Sequence, residues 1–147
     1  MKCRDVMLTL VYRCLEDTSV AECARIMRDE HLGFLPVVDV EGSVLGVVTD
    51  RDLAVRVLAE RLPPTTRVSE VMSTGPFLTC APDDDLRELE KRMSDEKKGR
   101  VMVQDDNGTL LGVISLSDIA QHESSAVRMA RLFQAVTRRE SVSLARS

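Results

Sequence analysis

Two short stretches place a hydroxyl and a carboxylate three positions apart directly after an apolar run. They are "GVVTDRD" at 46–52, with Thr49 and Asp52, and "GVISLSD" at 112–118, with Ser115 and Asp118. Two chemistries fit this spacing. In the first, the hydroxyl caps a following helix while the aspartate accepts from the cap's own backbone amide and favours the positive helix end. In the second, the same strand-to-helix junction receives a nucleotide: the aspartate accepts from both hydroxyls of a ribose, and helix amides face an anion. Capping by itself explains the spacing. It explains less well the glycines that open the runs, Gly46 and Gly112, whose missing side chain lets a second group approach the backbone.

The elements that must hold these junctions recur along the chain. Gly46 and Gly112, Gly42 and Gly108, Leu45 and Leu111, Asp52 and Asp118, and Met27 and Met93 are all separated by the same 66 positions. Upstream, "DVM" at 5–7 matches "EVM" at 70–72 with a separation of 65, so one residue has been inserted in a loop. Pro63, Pro64, Thr65 and Thr66 form a linker between the copies. In the first copy, "DTSVAECARIMRDEHLG" opens on capping residues Asp17 and Thr18, sets Val20, Cys23, Ala24 and Met27 at helical spacing, and stops at Gly33. Two β-rich runs follow around turns at Glu41-Gly42 in one copy and Asn107-Gly108 in the other, and a second helix follows each motif. The expected fold class is therefore α/β (α+β), two β-α-β-β-α repeats packed with pseudo-twofold symmetry. The divisions are 1–62 for the first repeat, 63–67 for the linker, 68–123 for the second repeat, and 124–147 for a C-terminal helix and tail. Stacking two such units removes from water the sheet face that one alone leaves poorly covered, and it creates paired clefts near the two motifs.

In the C-terminal segment, helical spacing groups Ala126, Met129, Ala130, Phe133 and Val136 on one face, with Arg128, Arg131, Arg138 and Arg139 largely elsewhere. From residue 126 onward five Arg and one Glu give +4, against −8 for the rest of a chain whose total is −4. Packing of this basic helix on an acidic protein body is the favoured reading over a membrane or a partner.

Composition narrows the function classes. The 147 residues suffice for one compact domain or two half-size units sharing a core. A net charge of −4, a pI near 5.2 and 3% aromatic residues with no Trp argue against a nucleic-acid partner. Cys3, Cys14, Cys23 and Cys80 show no C-x-x-C spacing and read as buried small hydrophobes, and His31 and His122 have no metal-ligand companions, so no metal is expected. The chain has no cleavable signal and no apolar run long enough for a membrane span, which points to the cytoplasm. The motif positions offer no acid-base pair and no activated nucleophile, so an enzyme is not expected.

"LPVVDVEGSVLGVVTDRDL" and "VMVQDDNGTLLGVISLSDI", each after an amphipathic helix and an upstream "VM", resemble the cystathionine β-synthase (CBS) domain. Two in tandem resemble a Bateman module, here of the stand-alone bacterial type, and the likeness covers residues 3 to about 123. It implies a regulatory sensor that binds AMP, ADP or ATP, with S-adenosylmethionine or NADH as further options, and no resident cofactor. It also implies a homodimer, output through self-association or an unidentified protein partner, and, as the alternative, a ligand-free dimerisation scaffold. By the same resemblance Asp52 and Asp118 meet ribose with Thr49 and Ser115 beside them. Arg51, Arg100 and Ser117 face phosphate, while Arg13 and Cys14, and Thr79, Cys80 and Pro82, wall the adenine pocket mainly with backbone. The copies depart from each other. Phe34 stands where the second copy has Arg100, and Met102 where the first has Pro36, so two unequal sites are expected, the tighter one using Arg100 with Asp118. The run Lys97, Lys98, Arg100 is equally readable as a solvated helix end.

Overall fold

The computed structural model describes residues 1–137 and divides into two bodies. The first body, Leu10–Phe77 with Asp106–Leu110, carries β1 (Cys14–Leu15), α1 (Val20–Glu30), β2 (Phe34–Val38), β3 (Val44–Thr49) and α2 (Asp50–Asp52). Helix α1 starts where Ser19 Oγ accepts from the Glu22 amide. It ends where His31 takes left-handed backbone (φ 56°) and returns its amide to the Met27 carbonyl. Its stripe of Val20, Cys23 and Met27 is buried, as helical spacing requires. The sheet runs β1-β2-β3, with β1 parallel to β2 (Cys14↔Val37) and β2 antiparallel to β3 (Phe34↔Thr49 to Val38↔Val44). Gly42, at φ 89°, makes the hairpin turn, where Asp39 Oδ1 accepts from the amides of Glu41 and Ser43. Cys14, Cys23, Met27, Leu35, Val37, Val48 and Val68 close the core. Burying each of the larger aliphatics contributes roughly 1.5–3 kcal/mol.

The second body, Met1–Thr9, Leu78–Asp105 and the chain from Leu111, repeats the order. It holds β4 (Thr79–Cys80), α3 (Leu86–Glu96), β5 (Arg100–Gln104), most of β6 (Leu110–Ser115), α4 (Leu116–His122) and α5 (Ala126–Thr137). Its sheet runs β4-β5-β6 with β4 parallel to β5, and Lys97 repeats the left-handed helix end of His31. Its core joins Cys3, Val6, Leu78, Cys80, Leu89, Met93, Val101, Val103, Ile114, Ile119 and Leu132.

The β-α-β-β-α order holds in both copies, while details depart from the spacing-based expectations. Helix α1 is capped by Ser19, two residues past Asp17, and ends at Glu30, ahead of Gly33, because His31 itself adopts the left-handed turn. Beyond Asp52 the first copy's second helix widens into a π-helical stretch, Leu53–Leu58, seen in the bonds from the Ala59 amide to the Ala54 carbonyl and from Leu62 to Val57. In α5 the face toward the core is Met129, Leu132 and Val136, while Phe133 is 56% exposed. Apolar spacing placed Phe133 inward, but the helix is rotated so that Arg128 reaches Glu90 and Glu123. Arg138 and Arg139, with the rest of 138–147, lie outside the described residues.

The bodies do not follow the sequence repeat at its edges. Residues 1–9 pack with the second repeat, where Cys3 and Val6 enter the core and Leu8 pairs with Val113. Conversely, Val71 to Ser73 pack with the first repeat, where Ser73 pairs with Val47. Each copy's "VM" segment is thus donated to the other copy's sheet.

Candidate functional site

The two motifs sit at matching strand-to-helix junctions, β3 into α2 and β6 into α4. Both form complete capping boxes. Thr49 Oγ1 accepts from the Asp52 amide at 3.1 Å, and Asp52 Oδ2 accepts from the Thr49 amide at 2.9 Å. Ser115 Oγ lies 3.3 Å from the Asp118 amide it accepts from, and Asp118 Oδ2 accepts from both the amide (2.7 Å) and the hydroxyl (2.8 Å) of Ser115. Asp118 is 7% exposed, so its carboxylate is fixed in place and partly withdrawn from water.

The glycines that open the runs do what their missing side chains allow. A Cβ on Gly46 would stand 2.6 Å from the Ser73 carbonyl oxygen, and one on Gly112 would stand 2.7 Å from that of Leu8. Through these gaps the donated segments pair with the motif strands, Ser73 with Val47 (2.8 and 2.9 Å) and Leu8 with Val113 (2.9 and 3.0 Å). Each motif strand is therefore clamped between its own hairpin partner and a segment from the other copy.

Around the first junction, Phe34 lies opposite Thr49 in the ladder, and the Asp50 amide donates to the Gly33 carbonyl. The side chain of Arg51 is exposed, and its amide donates to Asp50 Oδ1. Around the second, the Leu116 amide donates to the Gly99 carbonyl, exposed Arg100 opens the neighbouring strand β5, and Ser117 is exposed on the first turn of α4.

Of the adenine-wall candidates, Cys14 lies on β1 and Thr79 and Cys80 on β4, the strands at the sheet edge opposite the motif strands, while Arg13 comes just before β1 and Pro82 just after β4. Two inter-strand spacings, roughly 10 Å, separate them from the motif strands. Arg13 Nε donates to the Val11 carbonyl, Arg92 donates to the Thr79 carbonyl, and the Arg4 amide donates to the Pro82 carbonyl. The thiols of Cys14 and Cys80 turn into the cores. Cys23 Sγ donates to Cys14 Sγ at 3.7 Å and Cys14 Sγ donates to the Pro36 carbonyl at 3.8 Å; the contact with Cys23 together with burial pushes the Cys14 thiol up, while burial raises Cys3 and Cys80. Such thiols are held neutral, as small core hydrophobes are.

One functional neighbour escaped the sequence reading. Arg56 Nε stands 3.7 Å from Asp52 Oδ1, and its Nη1 donates to the carbonyls of Val71 and Met72, tying the motif aspartate to the donated segment. The signal was the i, i+4 spacing of Asp52 and Arg56 on a helix. In the second copy His122 occupies the matching position, and its Nδ1 lies 2.9 Å from the Asp118 backbone carbonyl. The junctions are alike in backbone and unlike in charge.

Among the described residues no group of three or more His, Cys, Asp or Glu side chains is arranged to hold a metal, and no helix is long and apolar enough to cross a membrane.

Comparison with known proteins agrees with this geometry. The CBS domain model matches residues 3–59 and 68–125. The CBS domain-containing protein YhcV of Bacillus subtilis is 33% identical over 122 residues, spanning 83% of this chain and 85% of the relative. The crystal structure of Hypoxic Response Protein I, which carries two coordinated zinc ions, superposes with a TM-score of 0.73 at 27% identity, covering 84% of this chain and 99% of that one; the same-named protein of Mycobacterium tuberculosis is a 27% identical relative. The CBS domain pair of protein MJ0100, in complex with 5-methylthioadenosine and S-adenosyl-L-methionine, shares the fold with a TM-score of 0.71 at 24% identity over 83% of this chain and 94% of that one. With both copies matched and nearly the whole described chain accounted for, this protein belongs to the CBS domain family and carries two such domains in tandem.

Proposed function

We propose that the chain is a regulatory module that binds an adenosine-containing ligand at the Thr49–Asp52 and Ser115–Asp118 junctions. The signal then passes through association with a second copy. The observation that carries this reading is the doubled junction itself, an aspartate fixed by its own cap at the N-terminal turn of a helix. In each copy the cap uses Oδ2, which leaves Oδ1 as the atom to accept from a ribose hydroxyl. Other support is a family whose fold, in MJ0100, holds two adenosine-containing ligands.

The two sites are unequal in this proposal. Oδ1 of Asp52 lies beside the Arg56 guanidinium, which competes with a ribose hydroxyl for that oxygen. At the matching position Asp118 has His122, whose Nδ1 meets its backbone carbonyl, and Arg100 opens the neighbouring strand β5. A guanidinium offers phosphate a fixed fork of donors, whereas Phe34 offers none, a difference of roughly 1.5–3 kcal/mol or tenfold and more in affinity. AMP, ADP, ATP, S-adenosylmethionine and NADH share the ribose and form the test panel.

Calorimetry across that panel decides the reading. The expected result is a tighter event lost in Asp118→Asn and Arg100→Ala and kept in Asp52→Asn. Asparagine retains an oxygen for the cap and lacks the charge, so the variants should melt near the wild type. No heat with any member of the panel would overturn the reading and leave the second one, a ligand-free dimerisation scaffold. The completeness of both capping boxes favours that alternative, since each aspartate already has a structural role.

A further inference from the structure

The four cysteines of the chain fall into two pairs, one in each core. In the first body Cys23 Sγ donates to Cys14 Sγ at 3.7 Å, and Cys14 Sγ donates in turn to the Pro36 carbonyl at 3.8 Å. Both residues are buried and both thiols are free. In the second body Cys80 holds the place of Cys14 after the shift of 66 residues, and its thiol meets that of Cys3 on the donated N-terminal segment. Leu89 holds the place of Cys23 there. The edge-strand cysteine thus recurs with the repeat, while its partner comes from a different element in each body.

The pairs differ in what lies behind the sulfur. Cys23 closes the first turn of α1, where its amide donates to the Ser19 carbonyl, and a helical side chain leans back toward the N-terminus. The positive helix end therefore favours a thiolate at Cys23, as does the S–H that Cys14 can turn toward it. The contact with Cys14 holds the Cys23 thiol below its ordinary range, against the opposing effect of burial. Cys80 lies on β4 and Cys3 in a single turn, Cys3–Asp5, and burial raises both thiols. Access to the first pair is local, because β1 has two residues and lies at the sheet edge, so its opening admits a molecule little larger than water without unfolding the body.

We propose that Cys14 and Cys23 form a redox site: a hydroperoxide converts them to a disulfide that staples β1 to the first turn of α1, while Cys3 and Cys80 stay reduced. The Cys23 thiolate attacks one peroxide oxygen, the O–O bond breaks, and the departing hydroxide takes up the displaced thiol proton as water. Cys14 Sγ then attacks the Cys23 sulfenic sulfur. The S–S bond forms, the S–O bond breaks, and a second water leaves with the Cys14 proton. The two sulfurs together give up two electrons, which the peroxide takes. Closure draws the sulfurs from 3.7 Å to about 2.05 Å. The first turn of α1 is also where the linker is fastened, by bonds from the Val20 amide to the Thr66 carbonyl and from the Ala21 amide to that of Pro64. The staple therefore stiffens the seat of the linker, independently of any ligand at the junctions.

The test treats the native full-length protein with hydrogen peroxide, alkylates free thiols in denaturant, and maps the cysteine peptides by mass spectrometry without reduction. The expected product is one linked pair, Cys14–Cys23, with Cys3 and Cys80 alkylated, and a thiol reductant should restore alkylation at all four. Tm should be higher in the oxidised protein than after re-reduction by roughly 4–8 °C. Comparison with the re-reduced protein isolates the disulfide from methionine oxidation, and sulfoxide at exposed Met1 verifies that the oxidant acted. Cys23→Ala should leave Cys14 alkylated; should that variant not fold, the wild-type map alone decides. Unlinked Cys14 and Cys23 beside oxidised Met1, a sulfinic acid at either, or a link from either to Cys3 or Cys80 would overturn the proposal. Equal or earlier closure of Cys3–Cys80 would overturn the helix-start argument, and a Tm that does not move on re-reduction would overturn the staple.

Discussion

Replacing Gly112 by alanine tests the clamp that sets the second motif strand. The added Cβ would fall 2.7 Å from the Leu8 carbonyl oxygen and 3.0 Å from Met7 Sδ, and the carbonyl contact cannot be relieved by turning a side chain. The strand and the donated segment must part, which strains or breaks the two Leu8–Val113 hydrogen bonds of 2.9 and 3.0 Å. At a net 0.5–1.5 kcal/mol each, these account for roughly 1–3 kcal/mol. Partial withdrawal of Cys3 and Val6 from the core adds about another 1–2 kcal/mol, and the better strand propensity of alanine offsets roughly 0.5–1 kcal/mol. The net expectation is a loss of about 2–3 kcal/mol, or roughly 6–9 °C in Tm at about 3 °C per kcal/mol for a chain of this size. Urea unfolding with an unchanged m-value is the assay, with faster amide exchange at Leu8 and Val113 as its local counterpart. Gly46→Ala, with its Cβ 2.6 Å from the Ser73 oxygen, should behave alike. Gly108→Ala is the control, where nothing lies within 4 Å and the left-handed backbone at φ 80° is the sole cost, about 1 kcal/mol. A Gly112→Ala protein within about 0.5 kcal/mol of wild type would refute the clamp.

The carboxylates that hold Arg128 should answer pH in opposite senses. Burial holds the Glu90 carboxyl above its ordinary range despite Arg128, so its contribution to stability is present at acidic pH and is lost as pH rises through its folded value. Glu90→Gln should therefore melt at or above the wild type at pH 7, with the difference closing toward pH 4; a clear loss at pH 7 would contradict this. Glu123 is held below the ordinary range by the Ser125 amide first and by Arg128 as well. Its contribution is present at neutral pH and lost as pH falls through its folded value, so Glu123→Gln should melt below the wild type at pH 7 and converge with it in acid. At the helix starts, Ser19→Ala and Asp85→Ala each remove an acceptor for an orphan amide and should cost about 1 kcal/mol by urea unfolding, against no measurable change for Asp17→Ala, which lies ahead of the cap.

Much of the fold was legible because its signals are local. The turns at Gly42 and Gly108 need left-handed backbone, and both glycines have it, at φ 89° and 80°. Met27 and Met93 recur at one helical phase, and both are buried. What local signals misplace is a choice between nearly equivalent neighbours. Ser19 and Thr18 are both good caps, and only the chain's path from β1 decides between them. Phe133 is more apolar than its position in α5 permits, since the Arg128 ion pairs fix the helix rotation. The destination of the "VM" segments was beyond reach for a related reason. The two copies are alike, so "DVM" suits either sheet, and which one it joins depends on where the chain crosses at residues 9 and 77.

The motif shows why capping and binding were hard to separate from spacing. Both need a hydroxyl and an aspartate at the first turn of a helix, and a complete cap is also the device that holds the aspartate still for a ligand. The residues that differ between the copies are more informative than those that match. Thr49 and Ser115, Asp52 and Asp118, and the glycines before them are interchangeable, and their geometries agree to within a few tenths of an ångström. Arg56 against His122, Phe34 against Arg100, Ala24 against Glu90 and Asp50 against Leu116 are not interchangeable. Arg56 pairs with the first motif aspartate while His122 meets the backbone carbonyl of the second, Phe34 lies opposite Thr49 in the ladder while Arg100 opens β5, and Glu90 and Leu116 belong to the seat of α5 while Ala24 and Asp50 do not. Because the shared residues keep the scaffold and the unshared ones change the charge at the junction or on the helix face, the two bodies agree in backbone and differ in charge, and the second alone seats the intrachain helix α5 on Glu90 and Glu123. The other is left with an aspartate partly claimed by Arg56 and an open apolar groove between α1 and the Leu53–Leu58 stretch.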